Sequence, residues 1–77
     1  MTVNEEQVIE LVALVLKKDP SELDAETSMQ NTEEWDSLRH LSLILALEDE
    51  FDVQVPDNEV QHLTSVALIT AWLQADE

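Results

Sequence analysis

Three stretches of the 77-residue chain carry hydrophobic residues at helical spacing. In the first stretch, one apolar stripe is formed by Val8, Leu11, Val12 and Val15. Thr2 or Asn4 is expected to cap this helix, because short polar side chains accept the free N–H groups of a first turn. Pro20 is expected to end it, since proline disfavours helical geometry at the preceding residue. The pattern predicts one amphipathic helix before residue 19.

Residues 19–36 lack this pattern and are predicted to form a long loop, with Leu23 and Met29 as its apolar anchors. A loop of this length is unusual in so small a domain and indicates a functional role. The second helix is predicted to begin at Asp36-Ser37 and to run to Phe51. Asp52 is expected to take the left-handed conformation that ends it.

The remaining chain is predicted to hold two further helical segments. Residues 53–56 form an extended link, and residues 57–62 form one or two helical turns. Thr64 or Ser65 caps a last helix with a stripe of Val66, Ile69 and Leu73, beside which lie Leu68 and Trp72. No segment alternates long enough to be a strand. The expected fold is all-α: a single domain, 1–77, built as a small bundle of three principal helices plus one short helix.

The second helix carries two apolar faces when it is turned by about 100° per residue. The predicted core face holds Leu43, Ile44, Leu47 and Phe51, with His40 at its edge. The other face holds Leu38, Leu41 and Leu45 beside Ser37, Ser42, Glu48 and Asp49. An apolar patch with a polar rim is typical of an interaction surface. Leu45 is expected to be its most exposed member, and the alternative for Leu38 and Leu41 is that they cover the long loop.

Composition excludes several classes of function. Eighteen acidic residues against three basic ones give a formal charge of -15, which disfavours nucleic acid and anionic membranes as partners. The chain has no cysteine and no glycine, so thiolate zinc sites, phosphate-binding glycine loops and EF-hands are excluded. We expect no signal sequence and no membrane span, because the apolar run near the start is interrupted by Glu10 and no apolar run reaches about 20 residues. We expect a cytoplasmic monomer without membrane insertion and without a dedicated metal site.

Ser37 lies at the predicted start of the second helix, where backbone N–H groups and the helix dipole favour a phosphate ester. From spacing alone, an ordinary first-turn serine is the simpler interpretation. A Ser37–His40 hydrolytic dyad is a further alternative, but it requires a buried site, an orienting acid and an oxyanion hole. A chain of 77 residues without glycine offers little room for these features. We therefore predict no catalytic residues.

The segment Glu34-Trp35-Asp36-Ser37-Leu38, followed by Leu41, Ile44 and Ala46-Leu47-Glu48-Asp49-Glu50-Phe51, resembles the phosphopantetheine attachment region of acyl carrier proteins. The likeness extends over essentially the whole chain, because length, charge, the long first loop, Val55-Pro56-Asp57 and Leu63-Thr64-Ser65-Val66 also match that family.

This resemblance implies a carrier of acyl groups, as in fatty acid, polyketide or related biosynthesis. Ser37 would receive 4′-phosphopantetheine from coenzyme A through a phosphopantetheinyl transferase, and the arm would hold acyl groups as thioesters. Asp36 would assist the transferase and its metal. Acyl-loading and acyl-transferring enzymes would dock through basic patches onto Leu38, Leu41, Leu45, Glu48 and Asp49.

Three positions depart from the fatty-acid carrier pattern: Trp35, Arg39 and Ser42. They favour a specialised stand-alone carrier over the housekeeping one. Two alternatives remain open at this point. The first is an aminoacyl or peptidyl carrier of a specialised pathway, and the second is an unmodified acidic helical adaptor that binds a basic partner.

Overall fold

The computed structural model describes residues 3–75, which form four α-helices and no β-strand. The helices are α1 (Glu5–Leu16), α2 (Ser37–Phe51), α3 (Asp57–Val60) and α4 (Val66–Ala75), and one 3-10 turn, Pro20–Glu22, lies between α1 and α2. One isolated bridge joins Ser28 to Ser65. The prediction of a small all-α bundle with three principal helices and one short helix is confirmed.

Helix α1 begins at an asparagine cap and ends at a left-handed residue. The Asn4 side chain accepts the Gln7 N–H at 2.9 Å, and the Gln7 side chain accepts the Asn4 N–H at 3.1 Å. The alternative cap, Thr2, lies outside the described residues. Lys17 has a φ of 59°, which lets N–H groups reach the last carbonyls of the helix. The prediction that Pro20 ends α1 is therefore wrong, because the chain has already turned at Lys17.

The long loop is held against the start of α4 by backbone hydrogen bonds. The Met29 N–H donates to Thr64 O at 2.9 Å, and the Val66 N–H donates to Thr27 O at 2.9 Å. Leu23 is buried, and Met29 is half-buried against the core. Both predicted anchors are confirmed. The loop is thus a fixed part of the fold that positions the start of α2.

The core lies between α1, α2 and α4, and α1 packs against both of the others. Its members include the predicted stripes, namely Val8, Leu11, Val12, Leu43, Ile44, Leu47, Val66, Ile69 and Leu73. Val15, Phe51 and Trp72 are half-buried at its edge, whereas Leu68 is largely exposed. The stabilisation comes from apolar area removed from water, at about 25 cal/mol per Å².

The remaining helix ends agree closely with the predictions from the sequence. Asp52 has a φ of 53° and ends α2 in the left-handed conformation, as predicted. Ser65, one of the two predicted caps, accepts the Leu68 N–H on its Oγ at 3.1 Å. Helix α3 keeps only one of the two possible turns, because the His62 N–H donates to Glu59 O at 2.9 Å in a tighter turn. None of the helices between residues 3 and 75 is long and apolar enough to cross a membrane.

Candidate functional site

Ser37 is the first residue of α2, and its side chain is exposed. Asp36 precedes it as the N-cap, with Oδ1 accepting the Arg39 N–H at 2.9 Å. The first helical hydrogen bond runs from the His40 N–H to Asp36 O at 2.8 Å. The N–H groups of Ser37 and Leu38 therefore have no acceptor within the helix. Together with the helix dipole, they favour a negatively charged substituent at this end.

Two hydrogen bonds, one buried and one partly buried, fix the chain on either side of this serine. The Trp35 indole Nε1–H donates to His40 Nδ1 at 3.0 Å, and His40 Nε2 lies 2.6 Å from Val60 O. Because the indole nitrogen can only donate, His40 accepts on Nδ1 and donates from Nε2 to the carbonyl. Trp35 and His40 are both buried. The three residues join the end of the long loop, α2 and α3.

His40 does not act as a base for Ser37 in this arrangement. Both ring nitrogens of His40 are already engaged, by Trp35 and by Val60. The Ser37 hydroxyl makes no hydrogen bond with any residue between 3 and 75. The alternative of a Ser37–His40 hydrolytic dyad is therefore wrong, and the hydroxyl is free to react with an external reagent.

An open apolar cavity adjoins the serine. Its volume is about 360 Å³, and it lies between the long loop, α2 and the segment around α3. Its lining residues include Ser37, Met29, Leu41 and Val60. A group attached to the Ser37 oxygen therefore has both solvent and an apolar surface within reach.

The second apolar face of α2 is exposed, as the sequence predicts. Leu38, Leu41 and Leu45 are 75%, 56% and 67% exposed, so the alternative that Leu38 and Leu41 cover the long loop is wrong. Leu38 is more exposed than Leu45, contrary to expectation, because a first-turn residue has no preceding helical turn beside it. We call these three leucines the leucine stripe.

The two acids assigned to the rim of the leucine stripe differ in environment. Asp49 is exposed. Glu48 is half-buried, and its Oε2 accepts the Val55 N–H at 2.9 Å. Glu48 therefore helps to fix the link after α2. Sequence periodicity does not reveal this role, since Val55 lies outside the helix.

Acidic groups dominate the surface, and few of them are paired. In the part of the chain that the structure describes, one ion pair joins Lys18 Nζ to Glu34 Oε2 at 3.3 Å. The backbone N–H of Glu34 and the Lys18 ammonium hold the pKa of the Glu34 carboxyl below its ordinary value. The Ser21 N–H and hydroxyl likewise lower the pKa of Asp19. No cluster of three potential metal ligands occurs among residues 3–75.

Comparisons with known proteins match nearly the whole chain. Residues 6–73 match the family model described as "Phosphopantetheine attachment site". The "Acyl carrier protein" of Clostridium acetobutylicum is 36% identical over 70 residues, which are 91% of this chain and 91% of that protein. The chain belongs to the acyl carrier protein family.

Two further relatives of this chain are also named as acyl carrier proteins. The "Acyl carrier protein" of Exiguobacterium sp. is 36% identical over 67 residues, covering 87% of this chain and 85% of the relative. The "Acyl carrier protein 2, mitochondrial" of Arabidopsis thaliana is 35% identical over 68 residues, covering 88% and 54%. The resemblance to acyl carrier proteins is therefore confirmed.

Membership defines the general activity of this carrier. It is a non-catalytic protein that carries acyl groups on covalently attached 4′-phosphopantetheine, and it acts with biosynthetic enzymes and a phosphopantetheinyl transferase. The chain suits that group in two respects. It has no cysteine, so the thiol that forms the thioester belongs to the prosthetic group. It also presents a free, exposed hydroxyl at a helix start.

Proposed function

We propose that Ser37 is the residue that receives 4′-phosphopantetheine. In the transfer, the Ser37 oxygen attacks the pantetheine-side phosphorus of coenzyme A and forms a phosphodiester. Adenosine 3′,5′-bisphosphate leaves, and the serine proton passes to a base of the transferase. The observation that carries the proposal is the exposure of a hydroxyl without hydrogen bonds at the first residue of α2.

Asp36 has a structural role and, we propose, a second role toward the transferase. Its Oδ1 is used by the N-cap hydrogen bond to Arg39. Its Oδ2 makes no hydrogen bond with the described residues, and the side chain is exposed beside Ser37. This oxygen is free to meet a metal ion or a donor that the transferase brings to the junction.

Transfer by a separate enzyme tests the proposal. Incubation of the purified chain with coenzyme A and a broad-specificity phosphopantetheinyl transferase is expected to raise its intact mass by one phosphopantetheine unit. An unchanged mass, under conditions that modify a control carrier, would contradict the proposal.

The leucine stripe and Asp49 are proposed to form the docking face for enzymes with basic patches. Three exposed leucines provide apolar contact close to Ser37, and the acidic surface attracts Lys and Arg. Such charges mainly raise association rates and orient the partner. Glu48 contributes its charge to this face while its Oε2 supports Val55.

Substitutions on this face are expected to slow loading without unfolding the chain. Leu45→Arg and Asp49→Lys should each lower the kcat/KM of the transferase by about tenfold, because each opposes a basic partner. Leu68→Arg, at an exposed leucine of α4, is the charge-matched control for Leu45→Arg. Circular dichroism should show equal helix content. Equal rates for all variants would show that the docking face lies elsewhere on the molecule.

We also propose that this is a specialised carrier. Arg39 and Ser42 lie near Ser37 on α2 and weaken the negative charge there. Trp35 is a core residue, so its effect on partners is indirect. An aminoacyl or peptidyl cargo is the second candidate within this proposal. Cytoplasmic location and a monomeric state are further proposals, the latter supported by mutual repulsion of chains that carry -15 formal charge.

A further inference from the structure

A further surface, which combines apolar and polar side chains, lies away from Ser37, between α1 and the end of α2. It is an open groove of about 380 Å³, which we call the α1 groove, and its lining residues are Gln7, Glu10, Leu11, Leu14, Glu50 and Phe51. Leu14, in the last turn of α1, is 74% exposed. It lies off the buried stripe of α1, so packing of α1 does not require a leucine at this position.

The α1 groove is separate from the leucine stripe. Ser37 and Phe51 are at opposite ends of α2, about 21 Å apart at a rise of about 1.5 Å per residue. At about 100° per residue, Glu50 and Phe51 lie more than roughly 100° around the helix from the centre of the stripe. A partner seated in the groove therefore leaves Ser37 and the leucine stripe open to another enzyme.

The charges around the α1 groove define its occupant. Glu10 and Glu50 are exposed at the groove, and none of its lining residues is basic. A second copy of this chain would bring another -15 formal charge, and anionic lipid would be repelled in the same way. An apolar side chain flanked by Lys or Arg complements both the leucine and the carboxylates.

We propose that the α1 groove binds a basic amphipathic helix of a partner protein. Apolar residues of that helix, spaced three or four positions apart, cover Leu14 and Phe51, while its Lys or Arg residues meet Glu10 and Glu50. This interaction is independent of the attachment at Ser37. It would hold the carrier on one protein while its arm serves another.

Peptide binding, mapped at each residue, tests this. The probe is a synthetic helix of Leu, Lys and Arg with leucines at i, i+3 and i+7, titrated into the ¹⁵N-labelled wild-type chain. We expect the largest amide shifts at residues 7–14 and 50–51. Shifts concentrated at residues 37–49 would overturn the proposal, as would uniform shifts over the acidic surface.

Two variants with the same charge change complete the test. Leu14→Arg is expected to weaken peptide binding at least about tenfold, because a buried leucine contact is lost. Leu68→Arg, at an exposed leucine of α4, should weaken it less than about twofold. Equal weakening by both variants would overturn the proposal. Sedimentation could also show that the wild type forms a dimer and that Leu14→Arg dissociates it. This result would assign the groove to self-association and would overturn the proposal.

Discussion

Replacing Ser37 with alanine is expected to abolish transfer of phosphopantetheine, with no modified chain detectable by intact mass where the wild type is fully converted. The reason is chemical, because alanine has no oxygen to attack phosphorus. The fold should remain unchanged. Asp36, not Ser37, caps α2, and an exposed substitution of this kind changes stability by no more than about 0.5 kcal/mol.

Ser42→Ala is the matched control for this experiment, since Ser42 is also an exposed serine on α2. Ser42 lies inside the helix, where each backbone N–H donates to a carbonyl of the preceding turn. It therefore has no free N–H groups beside it, unlike Ser37. Conversion of Ser42→Ala should equal that of the wild type. Full conversion of Ser37→Ala would place the attachment on another residue and refute the proposed site.

Replacing Trp35 with alanine is expected to lower the free energy of unfolding by about 3–5 kcal/mol. Its side chain is among the largest of the fully buried ones, and its loss leaves a cavity and an unpaired His40 Nδ1. For a chain of 77 residues this is a large share of the total stability. Urea titration followed by circular dichroism at the helix band measures it.

Trp35→Phe separates the hydrogen bond from the packing. It keeps an aromatic ring but removes the indole N–H that donates to His40, so the expected loss is about 1–3 kcal/mol. Gln30→Ala, at an exposed loop residue, is the control and should change stability by less than about 0.5 kcal/mol. A Trp35→Ala variant as stable as this control would show that Trp35 does not hold the loop in place.

Local patterns predict much of this fold and site. The 3.6-residue period identifies the buried stripes of α1, α2 and α4 and separates the leucine stripe from the core face of α2. Asp52 is a predictable left-handed residue, since the chain offers no glycine. The position of Ser37 after an acidic cap favours only an ordinary first-turn serine; the resemblance of its segment to acyl carrier proteins is what makes it the candidate attachment residue.

The residues that sequence reasoning missed depend on contacts between distant segments. The Trp35–His40–Val60 connection crosses from the loop to α2 and α3, so no single helical period contains it. A buried aromatic directly before a capped helix, with a histidine five residues later, is the pattern that would have indicated it. The exposure of Leu14 follows from its position off the buried stripe of α1, but the groove beside it depends on how α1 sits against the end of α2.

The most direct test of the central claim is to locate the modification at a single residue. The chain is treated with coenzyme A and the transferase, digested, and sequenced by tandem mass spectrometry. The prediction is that phosphopantetheine is found on Ser37 and on no other residue. Modification of a different serine or threonine, with Ser37 unmodified, would contradict the account.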